Sequence, residues 1–71
     1  MSAETATATA EAMFTLQFDN EDHAGEPMPR SVLLKANERD RSICNWLKTS
    51  EVGFSERFGG REFGCTIRRV A

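Results

Sequence analysis

A chain of 71 residues with a formal net charge of −2 makes one domain, and at this size folding buries only about 60% of the surface the unfolded chain exposes. So small a core leaves little room for a substrate pocket. Cys44 and Cys65, with His23 as the single imidazole, fall short of a disulfide framework or a four-ligand Cys/His zinc site.

Residues 1–12 alternate Ala and Thr with two Glu and hold no large apolar side chain, the composition of a disordered tail. They lack the basic and apolar regions of a signal peptide. No stretch of the chain approaches the roughly 18 apolar residues of a membrane span. The expectation is a cytoplasmic protein with reduced thiols and no cofactor. Met13 opens the patterned part and is a second candidate start, so the domain is read as residues 13–71.

In residues 13–18, Phe14, Leu16 and Phe18 alternate with Thr15 and Gln17, which predicts a half-buried strand. Residues 19–30 form a polar connection with Gly25, Pro27 and Pro29. Residues 31–36 are read as a second strand, with Val32, Leu34 and Ala36 toward the core and Leu33 and Lys35 away from it. Asn37 then serves as an N-cap, with Glu38 and Asp40 in the first turn. Ile43, Trp46 and Leu47 give the helix an apolar stripe at i, i+3 and i+4, and the helix ends near residues 49–51.

Gly59-Gly60 suits a two-residue hairpin loop, because a type I′ turn needs positive φ at both positions. Pairing Phe58 with Arg61 sets Arg57 opposite Glu62, Phe54 opposite Cys65 and Val52 opposite Ile67. Val52, Phe54, Phe58, Phe63, Cys65 and Ile67 then share the core face, where Glu56 is the misfit. Ser55, Arg57, Glu62, Gly64, Thr66 and Arg68 share the other. The predicted fold is α+β, in the order β-β-α-β-β: a four-stranded antiparallel sheet with one helix on one face. A rival reading makes residues 54–58 a helical turn and removes the third strand.

The chemistry of an enzyme is missing from this inventory. His23 lies far in sequence from both cysteines, and Gly59-Gly60 precedes a strand, where a phosphate loop precedes a helix. The loop DNEDHAGE at 19–26 collects hard ligands without the spacing of a calcium loop, so no metal is assigned.

Charge is unevenly placed. Residues 1–29 hold six acids and no Lys or Arg, whereas residues 30–71 hold nine bases and five acids. The acidic loop residues Asp19, Glu21, Asp22 and Glu26 are therefore the first candidate partner-binding set, a mimic of a phosphate backbone for a basic groove. Arg57, Arg61, Arg68 and Arg69 on the C-terminal hairpin are the second, for nucleic acid. A homodimer through an edge strand is a third arrangement.

Two strands, a helix entered after Ala36-Asn37, then Gly53-Phe54 and a last strand Cys65-Thr66-Ile67-Arg68-Arg69-Val70 make an order that resembles small bacteriophage proteins that disable host machinery. Short inhibitors of bacterial RNA polymerase and anti-CRISPR proteins are of this kind. The resemblance implies a non-enzymatic inhibitor or adaptor that binds a host protein or complex stoichiometrically. It carries no binding residues over.

Overall fold

The computed structural model describes residues 11–71; most of the tail predicted over 1–12 lies outside them. Six elements follow one another: β1 (Met13–Phe18), β2 (Met28–Pro29), α1 (Arg30–Ala36), α2 (Arg41–Thr49), β3 (Ser55–Gly59) and β4 (Gly64–Arg69). The four strands form one antiparallel sheet in the order β2-β1-β4-β3. The α+β class and the four antiparallel strands agree with the sequence reading; the number of helices does not.

Residues 31–36 are helix, not strand. Arg30, Leu33, Leu34 and Asn37 are the buried or half-buried positions of this segment, and that spacing is helical. Leu33 is 2% exposed whereas Val32 is 48% exposed, which inverts the predicted faces. The adjacent Leu33-Leu34 pair breaks strict alternation, and Leu, Lys and Ala are strong helix formers. Pro29 immediately precedes the helix and supplies no side-chain cap. The first donors are satisfied from upstream: Arg30 N–H donates to the Ala12 carbonyl at 2.9 Å and Ser31 N–H to Glu11 Oε2 at 2.6 Å. Of the predicted tail, therefore, Glu11 caps α1 and Ala12 sits in the core.

The second helix starts three residues later than expected. Its N-cap is Asp40, whose Oδ1 accepts from Ile43 N–H at 3.1 Å, and Asn37 instead closes α1 through its N–H and Nδ2, both donating to the Leu33 carbonyl. The stripe of Ile43, Trp46 and Leu47 packs on the sheet as predicted. Trp46 lies 5.8 Å from both Phe14 and Phe58, centroid to centroid. Two arginines dock on the carbonyls at the end of α2, where the helix dipole favours positive charge: Arg30 Nε to Leu47 O at 2.9 Å and Arg69 Nη1 to Ser50 O at 2.6 Å.

The hairpin turns at Gly59-Gly60, but with a longer loop. Phe58 faces Cys65 and Gly59 faces Gly64, so residues 60–63 make the connection. The observed register is shifted by four residues from the predicted one, an even number, so the side chains that stay within the paired strands keep their faces. Gly59 has φ +125°, and a Cβ there would meet Gly64 Cα at 2.6 Å; close approach to Gly64, not a type I′ turn, explains the glycine at 59. Arg57 faces Thr66, not Glu62, and Glu56, not Val52, faces Ile67. Phe63 falls in the loop and Phe54 before the strand, at 52% and 55% exposed. Hence the five phenylalanines do not all point inward.

The two readings of residues 31–36 separate cleanly by mutation. Leu33→Ala should cost about 2–5 kcal/mol as a core truncation, while Val32→Ala should stay within about 0.5 kcal/mol. Chemical denaturation of the two variants measures both; the strand reading requires the reverse order.

Candidate functional site

The sheet order sets β2 and β3 at the two edges, and they differ in how they are closed. β2 is two residues long, contains Pro29, follows Pro27, and runs directly into α1. Proline and brevity are common guards of an exposed edge. β3 is five residues long without proline, and all but Phe58 are exposed. Arg69 N–H donates to Phe54 O at 2.9 Å and Gly60 N–H to Phe63 O at 3.0 Å, so Phe54, Glu56, Phe58 and Gly60 bond toward β4. Hydrogen-bonded positions recur every second residue in an antiparallel pair. The N–H and C=O groups of Ser55, Arg57 and Gly59 therefore point outward, away from β4.

The one cation of β3 does not guard this edge. Arg57 sits on the face without helices, crosses over Gly64 and reaches Asp19 just beyond β1. Its Nε donates to Asp19 Oδ1 at 3.2 Å and its Nη2 to Asp19 Oδ2 at 2.5 Å, with a further bond to the Gly60 carbonyl at 2.8 Å. Gly64 N–H donates to the same carboxylate at 2.9 Å. Glycine at 64 permits the crossing, since a Cβ there would stand 2.9 Å from the guanidinium carbon and 2.6 Å from the Phe58 carbonyl oxygen. The hydrogen bond from Arg57 and its positive charge hold the Asp19 carboxyl below its ordinary pKa, against the opposing effect of partial burial, and the same bond raises Arg57.

The predicted acidic set is thereby divided. Asp19 is engaged by Arg57, and Glu21 Oε1 accepts from Phe18 N–H at 3.1 Å, closing the turn after β1. Asp22 and Glu26 are exposed in the loop. The predicted basic set divides as well. Arg57 is bound to Asp19 and Arg69 lies on the helix side against Ser50, which leaves Arg61 and Arg68 exposed. Lys35, placed by the strand reading on the sheet, stands on α1 and pairs with Glu38 at 3.5 Å.

On the helix side a recess of about 260 Å³ opens between the start of α2 and the sheet, lined by Leu16, Phe18, Ile43, Phe58 and Cys65 with Asp40 at its margin. Phe18 also meets Phe63 at 5.8 Å, edge to face. At the other end of β3, Val52 and Phe54 are 60% and 55% exposed. No sequence signal marked this arrangement, because the strand reading assigned those side chains to the core. Burial pushes the Cys65 thiol up, and both cysteines are free. Among the described residues no group of three or more His, Cys, Asp or Glu side chains gathers as metal ligands would, and no helix is long and apolar enough to cross a membrane.

No protein-family model matches the chain, and neither a curated protein nor a solved structure is similar to it.

Since the native Asp19 pKa is depressed, its stabilisation is complete above the pKa of an unfolded aspartate and is lost as pH falls through the lower native value. Carboxyl titration by NMR should find Asp19 below an ordinary aspartate, and Arg57→Gln should move it back up and flatten the acid limb of stability. Gly64→Ala should break the same clamp sterically, seen as loss of the Arg57 side-chain Nε–H signal coupled to Asp19 and a lower midpoint of denaturation.

Proposed function

We propose that the chain is a non-enzymatic protein-binding module, an inhibitor or adaptor that acts by stoichiometric association through the open edge of β3. The observation that supports this reading is an edge unguarded among the described residues. It offers three outward-facing residues of backbone donors and acceptors beside the exposed Val52 and Phe54, whereas the opposite edge is closed by proline. Strand addition to such an edge is a recurrent mode of peptide recognition, in which main-chain bonds give affinity and alternate side chains give specificity.

The acidic loop contributes less to this reading than the sequence suggests. Two of its four carboxylates already serve the turn and the clamp, so Asp22 and Glu26 carry what remains of a phosphate mimic. Binding of nucleic acid through the hairpin arginines loses support for the same kind of reason, because Arg57 and Arg69 are held by the protein's own oxygens. The segment 31–36 on which the resemblance to phage inhibitors takes its second strand is helical, so the inhibitor reading rests on the edge and not on element order.

A photo-crosslinking side chain at Val52 should capture a partner from lysate of the source organism as a one-to-one adduct. Ser55→Pro, which removes an outward N–H without touching the β4 ladder, should abolish that adduct while leaving the fold intact by circular dichroism. Equal capture from a crosslinker at Gln17, on the far face, would overturn the proposal.

A further inference from the structure

We infer that the β3 edge takes an extended protein segment in which an apolar residue stands two positions from a lysine or arginine. This inference rests on the protein-binding reading above and names the chemistry of the partner. In a strand added to β3, residues opposite Glu56 and Phe58 lie on the helix side of the sheet, because side chains alternate and same-face neighbours are two apart. The one opposite Phe58 arrives beside an aromatic surface, with Trp46 edge to face on Phe58 at 5.8 Å and the recess of Ile43, Phe18 and Cys65 behind it. That position selects an apolar side chain.

The residue opposite Glu56 meets a carboxylate. Glu56 is exposed, its cross-strand neighbour on β4 is Ile67, and Asp40 stands at the margin of the same recess. The strand's own cation cannot answer it, because Arg57 is turned to the other face and bound by Asp19. A free edge thus presents an apolar site and an acidic site two residues apart, and a complementary strand carries an apolar and a basic residue at the same spacing.

A second copy of the chain answers this pattern less well. The helix-side residues around β3 are Phe54, Glu56 and Phe58, so no antiparallel self-pairing brings a cation to Glu56. Pairing centred on Glu56 sets two carboxylates face to face, and like charges directly opposite are unfavourable.

The probe is the synthetic peptide Thr-Lys-Thr-Leu-Thr-Lys-Thr, which shows leucine flanked by lysines in either strand direction, titrated into the isotope-labelled full chain. Saturable amide shifts should appear at Ser55, Arg57 and Gly59, with binding several-fold weaker when both lysines are replaced by glutamate. Glu56→Lys should invert that preference, a result that a merely sticky surface would not produce. Absence of saturable shifts at these amides with the lysine peptide at millimolar concentration overturns the inference, as does equal binding of the two peptides. So does a doubled sedimentation mass with edge amides that shift on self-dilution, which identifies a second copy as the occupant. If the Val52 crosslinker still forms its Ser55-dependent adduct in those cases, the protein-binding reading stands and only the partner chemistry falls.

Discussion

The pairing of β1 with β4, the first strand with the last, is the constraint on which the rest of this molecule depends. Five residue pairs from Phe14↔Arg69 to Phe18↔Cys65 make this the centre of the sheet, and Phe14 and Ile67 on its helix side are buried. The ends are tied into it as well, with Met13 N–H donating to the Ala71 carbonyl and Val70 N–H to the Met13 carbonyl. Every other element lies between these strands in sequence and is placed by them. Closing so long a loop costs entropy before the core repays it, so local structure in the middle of the chain is subordinate to this contact.

That subordination accounts for the second helix. Residues 31–36 extended as a strand would lie beside β1 in place of the short β2. As α1, the same residues bring Leu33 into the cluster of Ala12, Phe14, Leu47 and Ile67, and let Arg30 bond to the end of α2. The buried set is small, five apolar residues among those described, so each cap and clamp is a noticeable share of a thin margin. Glu11 on the Ser31 N–H, Asp40 on the Ile43 N–H, and the two arginines on the end of α2 are such devices. Hydrogen bonds from the Ser31 side chain and then its N–H lower the Glu11 pKa, a sign that the cap favours the charged carboxylate.

The arrangement of charge bears on the proposed strand addition. Arg57 stands in an edge strand, where a long cation ordinarily discourages pairing with another chain. Here alternation sets it on the outer face, and Asp19 holds it across Gly64 toward the end of β1. The clamp ties β3 to the turn after β1, while the alternation of the ladder turns the Ser55, Arg57 and Gly59 amides outward. Glu56 remains on the helix side, opposite Ile67, as the only charge of β3 on that face.

Much of this was legible in the sequence because it depends on local periodicity. Alternation in residues 13–18 marks β1, the i, i+3, i+4 stripe of Ile43, Trp46 and Leu47 marks α2, and the parity of the hairpin survives an error of four residues in register because side chains repeat every two. The helical spacing of Arg30, Leu33, Leu34 and Asn37 was there to be read, but alternation of Val32, Leu34 and Ala36 competes with it over so short a segment. Other features carry no local signal at all. That Asp19 and Arg57, assigned by charge to rival surfaces, bind one another is decided by the sheet order, which brings residues 38 apart in the chain together. Which edge stays open, and that Phe54 and Phe63 stand outside the core, likewise follow from strand order and loop length. Periodicity within the chain determined which residues share a face; only the packing of distant segments decided which faces and edges meet, because those contacts are chosen by the energy of the whole core.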